Sequence, residues 1–321
     1  MEVLNTATVS RQGITLAVAV SAQAISIPLA PRDSRPQSRA SMWKPAVGTT
    51  WQIVLKHPLT INPQSPAVEP SHVDVYDIDL FDNTKNGTDG SNIAALHSLG
   101  KKVICYFSAG TYEGWRPDAG DFKAADKGNR MNNWNETWVN INSPDIRDVM
   151  AKRIKIAADM GCDAIDPDNV DGYLEATVND QGPSTFRLDK ASTASFVKFL
   201  SAEAAKYKMS TGLKNAAEVI DDVISDVHFS VNEECAAWKE CNMFLKFIEA
   251  SKPVFHIEYP AGMEKDADET PLKDLGKWCR KSPDWSGPDV DISKMSTVIK
   301  NLQLNGWVQY CDGKTFKTPR G

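Results

Sequence analysis

The residues best equipped for chemistry are carboxylates, and they recur in short clusters. The densest is Asp163-Ala164-Ile165-Asp166-Pro167-Asp168-Asn169-Val170-Asp171, with four acids in nine residues. Others are Tyr76-Asp77-Ile78-Asp79-Leu80-Phe81-Asp82, Asn232-Glu233-Glu234 and His256-Ile257-Glu258, each closing a short apolar run. Two carboxylates across a cleft can split a glycosidic bond. One protonates the leaving oxygen, and the other attacks the anomeric carbon or activates water. The proton donor then needs a raised pKa, from burial or from a neighbouring carboxylate. Acidic clusters can also hold a divalent cation through oxygen ligands. Nothing here has calcium-loop spacing, and the five scattered histidines suggest no zinc site. There is no G-x-S-x-G elbow for a serine nucleophile. No metal or cofactor is expected. The plain reading of the densest cluster is an Asp-rich polar turn.

Such acids need a scaffold that delivers them to one place. Short apolar runs at Trp51–Leu55, Val73–Leu80, Lys102–Ser108, Trp138–Ile141, the Asp163 stretch, Met209–Asn215, His228–Glu234 and Pro253–Tyr259 read as eight strands. Helical patterns or long loops separate them. Ser91–Leu99 closes on Gly100, a second helix opens at Ser143-Pro144, and Ala191–Tyr207, Glu218–Ser225 and Met243–Ala250 follow. Lys273–Arg280 reads as a further helix, and Val298–Cys311 as a helix and a strand. Eight such units give an α/β fold, a single-domain (β/α)8 barrel. Function in that fold sits at the carboxyl ends of the strands. The ends carry Asp77, Asp79 and Asp82 (second), Tyr106 and Ser108 (third), Asp166, Asp168, Asn169 and Asp171 (fifth), and Lys214 and Asn215 (sixth). The seventh ends in Asn232, Glu233 and Glu234, and the eighth in His256 and Glu258.

Period-two alternation assigns faces. It turns Asp77 with Asp79, Asp166 with Asp168, Lys214, and His256 with Glu258 into the barrel. It turns Ile78, Leu213, Phe255 and Ile257 towards the helices. Asp77 and Asp166 fall one layer deeper, where a buried charge needs a partner, and Lys214 is the candidate.

Composition bounds the rest. The 41% hydrophobic content supports a packed core. A net charge of −6 lacks the basic stripe of a nucleic-acid binder and suits a cationic ligand. The apolar stretch 13–30, with Ser21-Ala22-Gln23-Ala24 as a cleavage site, reads as a secretory leader over residues 1–24, cut at the latest after Ala30. Residues 25–45 read as a Pro/Ser-rich linker and 46–321 as the catalytic domain. A secreted, monomeric chain with no membrane span is expected. Among six cysteines, Cys235 with Cys241 and Cys279 with Cys311 are plausible bridges, while Cys105 and Cys162 read as small buried hydrophobes. Asn86 and Asn135 head N-glycan acceptor triplets.

Taken together, the motifs resemble glycoside hydrolase family 114, the endo-α-1,4-polygalactosaminidases. The matching segments are Tyr76–Asp82, Val103–Gly110 with Glu113, Trp115, Arg116 and Asp118, Asp166–Tyr173, Asn232–Cys235 with Glu240-Cys241, and Glu258-Tyr259. The resemblance implies a secreted barrel hydrolase that cuts within α-1,4-linked galactosamine polymers, such as deacetylated galactosaminogalactan. It implies Asp168 as nucleophile and Glu233 as general acid/base, although strict alternation with Ser230 and Asn232 points Glu234 inward instead. Asp77, Asp79, Tyr106, Ser108, Asn169, Asp171, Lys214 and Glu258 are then the expected substrate contacts. Trp115, Tyr106 and Tyr173 are candidates for stacking on sugar rings.

Overall fold

The computed structural model describes residues 41–62, 64–132, 134–174, 186–260, 263 and 269–321. The expected leader, most of the linker and the stretch 265–268 lie outside the described residues.

Eight parallel strands form the frame. They are β1 (Trp51–Val54), β2 (Val75–Asp79), β3 (Lys102–Ser108), β4 (Ala164–Asp168), β5 (Ser210–Lys214), β6 (Phe229–Glu233), β7 (Val254–Glu258) and β8 (Ser296–Ile299). Each pairs in parallel with the next, β1 to β8, in one curled sheet. Beyond β8 the sheet continues through the antiparallel strands Trp307–Tyr310 and Thr315–Lys317. This is an α/β barrel of the (β/α)8 kind.

The seam between β1 and β8 is closed largely by side chains. Trp51 Nε1 donates to the Ser296 carbonyl (2.7 Å), and Ser296 Oγ to the Thr49 carbonyl (2.7 Å). Lys300 Nζ donates to the carbonyls of Ile53 and Asn305, both at 2.7 Å. Burial pushes the Lys300 ammonium well below the ordinary lysine range.

Two strand assignments change. The predicted fourth strand, Trp138–Ile141, is not in the barrel. Glu136–Val139 is instead the middle of a three-stranded antiparallel sheet, between Thr111–Glu113 and Lys127–Arg130. β3 pairs directly with β4, Ser108 opposite Asp168. The eighth barrel strand is Ser296–Ile299, and no helix forms between it and Cys311. The Asp163 stretch therefore ends the fourth barrel strand, and Glu233 ends the sixth.

Local chemistry accounts for the main helices. Pro144 opens Pro144–Met160, and Gly161 closes it at φ 103°, a left-handed conformation that glycine adopts without steric cost. Asp189 caps Lys190–Lys206 by accepting from the Ser192 amide at 2.7 Å.

The barrel floor is apolar. Trp51, Ile53, Val75, Ile104, Ala164, Phe229, Val231, Phe255, Ile257 and Val298 share one interior cluster. Trp51 and Phe229 rings lie 4.9 Å and 5.4 Å from that of Phe255. Gly212 makes room, since a Cβ there would stand 2.5 Å from the Phe229 ring. Phe255 and Ile257 were expected to face the helices; they face inward, and His256 and Glu258 face outward.

Three disulfides join Cys105 to Cys162, Cys235 to Cys241 and Cys279 to Cys311. The first corrects the reading of Cys105 and Cys162 as free core thiols. Adjacent β3 and β4 bring their Cα atoms to 5.9 Å, within bridging range. Among the described residues, no helix is long and apolar enough to cross a membrane.

Candidate active site

The carboxyl ends of the barrel strands open into a cleft of about 640 Å³. One wall is the three-stranded sheet that follows β3, which contributes Glu113, Glu136 and Trp138. Trp115 and Trp134 stand at its edge, half-exposed.

Lys214, at the end of β5, occupies the centre. Its Nζ lies 3.2 Å from Asp168 Oδ1 on β4 and 3.2 Å from Glu233 Oε2 on β6. Burial opposes this ammonium, but Asp168, Glu233 and Asp166 outweigh it and hold its pKa well above the ordinary lysine value. Asp168 accepts further from the Tyr106 hydroxyl at Oδ2 (2.9 Å) and from the Asn169 amide at Oδ1 (2.7 Å). Glu233 accepts from Asn215 Nδ2 at Oε2 (3.3 Å) and from the Tyr259 hydroxyl at Oε1. Both carboxylates are thus fixed by donors from neighbouring strands, and both line the cleft.

The turns after β4, β5 and β6 share a geometric device. Asn169, Asn215 and Glu234 each take positive φ (60°, 46° and 63°), so the chain turns sharply just past the residue that faces the mouth. Asn169 Nδ2 donates to Ser108 Oγ (2.9 Å), locking one of these turns. The turn also presses on the backbone of residue 110. A Cβ on Gly110 would stand 1.7 Å from the Asn169 carbonyl oxygen, so only glycine fits.

Below the mouth, Asp77 and Asp166 are wholly buried, and none of their carboxyl oxygens has a hydrogen-bond partner in the structure. Burial, then Asp166, raises the Asp77 pKa well above the usual carboxylate range. Burial pushes Asp166 up to about 7 against the pull of Lys214. Lys214 was the expected partner of both, but its ammonium reaches past them to Asp168 and Glu233.

The remaining expected contacts divide. Asp79 lines the cleft but is held by Arg116 through two bonds of 3.0 and 2.6 Å. Arg116 also donates to Glu113 (2.9 Å), tying β2 to the sheet wall. Asp171 lines the cleft, pushed up to about 7 by burial and then by Asp168. Ser108 is buried and serves Asn169 and Thr111. Glu258 is not in the site. It lies on the outer face of β7, accepting from His256 Nε2 and the Ala236 amide, both at 2.7 Å. Tyr173 is also elsewhere, buried with its hydroxyl on Glu218.

Sequence reasoning placed Asp82 and Asn215 at strand ends without counting them among the contacts, and it gave no role in the site to Tyr259, Glu136 or Trp134. Tyr259 was lost to the same one-residue phase error that put Glu258 inside. Both faces of a barrel strand are buried, so polarity does not mark the inward face. On β6 the inward set is Phe229, Val231 and Glu233, which puts Glu233, not Glu234, at the mouth. Cys235, Cys241 and His256 could suggest a metal site, but the two cysteines are bonded to each other.

A carboxylate pair on the two barrel strands that flank β5, fixed at the mouth of an acidic cleft, is the equipment of glycosidic cleavage. Comparisons with known proteins agree. The sequence pattern of glycoside-hydrolase family GH114 matches residues 32–316. The crystal structure of Aspergillus fumigatus Ega3 in complex with galactosamine is similar at 44% identity and a TM-score of 0.72, over 85% of this chain and 99% of that one. The glycoside hydrolase domain of PelA from Pseudomonas aeruginosa shares the fold at 14% identity and a TM-score of 0.56, over 80% and 96%. No curated protein sequence matches the chain. With the family pattern spanning the whole barrel and its carboxylates, the chain belongs to glycoside-hydrolase family GH114.

Proposed function

We propose that this hydrolase cuts within α-1,4-linked galactosamine polymers by double displacement, with Asp168 as nucleophile and Glu233 as general acid/base. The observation that carries the reading is the shared ammonium of Lys214. Two legs of 3.2 Å meeting at one nitrogen keep Asp168 Oδ1 and Glu233 Oε2 within about 6.4 Å. Inverting enzymes need about 6.5–9.5 Å to admit a water, and retaining ones about 5–5.5 Å. The bound favours retention.

In the first step Glu233 protonates the glycosidic oxygen while Asp168 attacks the anomeric carbon. The C–O bond to the leaving chain breaks, and an ester to Asp168 forms. In the second step Glu233 takes a proton from water, which opens that ester with the original anomeric configuration restored. Lys214 faces whichever of the two carboxylates carries charge, so the cation is matched throughout. Tyr106 and Tyr259 keep the attacking and proton-carrying oxygens aimed.

The acids of the cleft support a cationic substrate. Galactosamine residues carry protonated amines near neutral pH. Asp82, Glu136 and Asp171 line the cleft around the pair, whereas Asp79 is already matched by Arg116. The half-exposed faces of Trp115 and Trp134 suit sugar rings. The similar Ega3 was crystallised with galactosamine, which supports the same monomer here. Three disulfides and the apolar leader support action outside the cell.

The test is product release from deacetylated and fully acetylated galactosaminogalactan. Oligosaccharides from the deacetylated polymer alone, in the presence of EDTA, and none from Asp168→Asn or Glu233→Gln, are expected. Turnover by Asp168→Asn at the wild-type rate would refute the residue assignment. Release from the acetylated polymer alone would refute the substrate.

A further inference from the structure

Five large hydrophobic side chains are exposed among the described residues. Trp115, Trp134 and Leu174 line the cleft. Trp238 and Trp285, at 70% and 79% exposure, do not, and they are more open to water than the other three.

These two indoles come from segments that are stitched together. Trp238 ends the one-turn helix Cys235–Trp238, which starts two residues after Glu233. The Cys235–Cys241 disulfide closes that segment at both ends. Trp285 lies between the paired strands Lys281–Ser282 and Val290–Asp291. The Trp285 amide donates to the Lys239 carbonyl (3.3 Å), and Asn242 Nδ2 to Ser286 Oγ (3.4 Å). Asp284 Oδ1 accepts from the amide and hydroxyl of Ser286 (2.8 and 2.6 Å), fixing the turn that carries Trp285. Two indoles are thus held on tied backbone at the same end of the barrel as the catalytic glutamate.

We propose that Trp238 and Trp285 form a second saccharide site, which binds a stretch of the aminosugar polymer outside the cleft. Indoles offer flat apolar faces to the C–H faces of sugar rings, and their negative π faces attract protonated amines. An endo-acting enzyme holds chain on both sides of the cut, so polymer leaving the cleft past Glu233 is the occupant at hand. The site rests on the substrate reading above.

The test compares wild type with Trp238→Ala/Trp285→Ala on long deacetylated galactosaminogalactan and on short oligosaccharides that fill only the cleft. For the polymer, KM rises roughly tenfold in the double variant and kcat holds. For the oligosaccharides, both constants hold. A matching Trp→Phe pair restores the polymer KM. Thermal unfolding of each variant checks the fold. Turnover of polymer with unchanged KM in the double variant overturns this proposal alone. No turnover of polymer by wild type overturns the substrate reading and this site with it. A wild-type dimer that the double variant dissolves assigns the indoles to self-association and overturns the proposal.

Discussion

Lys214 Nζ stands 3.2 Å from Asp168 Oδ1 and equally close to Glu233, with its side chain almost wholly buried. An ammonium in that place favours the ionised form of every carboxylate around it. Lys214→Met therefore lowers kcat by about 10²–10³-fold. It also moves the acidic limb of the pH–rate profile upward, because the cation that favoured ionisation is gone. A variant with wild-type kcat and an unmoved profile would reduce Lys214 to a structural ion pair.

Gly110 and Asn169 make a second, purely steric claim. Gly110→Ala must displace the Asn169 carbonyl, which a Cβ would approach to 1.7 Å. The Asn169 amide donates to Asp168. The expected result is a fall in kcat of about 10²-fold with a loss of stability of about 1–3 kcal/mol. Activity assays and thermal melts on the single variant check both, and an unchanged kcat contradicts the link.

Asp166 gives a stability prediction with a definite sign. Its folded pKa is pushed up to about 7, chiefly by burial, against an unfolded value of about 3.9. The neutral carboxyl favours the fold. That contribution is complete below pH about 3.9 and is lost as pH rises through about 7. Asp166→Asn keeps the neutral shape at every pH. Its Tm therefore falls less than that of wild type between pH 5 and pH 8. Asp77, Asp168, Glu233 and Lys214 are the charges around it, and His228, held down at about 4 by burial, works in the opposite direction in both proteins. Equal Tm differences in variant and wild type would contradict the buried, neutral assignment.

The disulfides differ in what they restrain. Cys105–Cys162 closes a separation of 57 residues and Cys235–Cys241 one of 6. Loop-closure entropy makes the first worth about 4 kcal/mol and the second about 2 kcal/mol. Paired Cys→Ala variants compared in denaturant melts should rank in that order. The short loop carries Trp238, so its loss should also weaken polymer binding.

Much of this was legible in the residues. The alternation of strands and helices, the acids at strand ends and the family motifs follow from local pattern, which a barrel of short-range βα connections obeys. The count of eight came out right because the false strand Trp138–Ile141 offset the unread Ser296–Ile299. Two features escaped for physical reasons. Trp138-Val139-Asn140-Ile141 has the composition of a barrel strand, and only the direct pairing of β3 with β4 excludes it. The inward phase of β6 and β7 was hidden because their floor residues are aromatic and aliphatic, so apolar did not mean outward. That one slip moved Glu258 in and Tyr259 out. Lys214 was singled out but matched to the wrong acids, since side-chain reach is not encoded in strand position.

The most direct test of the paired carboxylates is the anomer of the first product. Proton NMR during early hydrolysis of deacetylated galactosaminogalactan should show the new reducing end as the α anomer, converting to β only by later mutarotation. An initial β anomer would require a single displacement by water, with carboxylates too far apart to share one lysine, and would contradict the account.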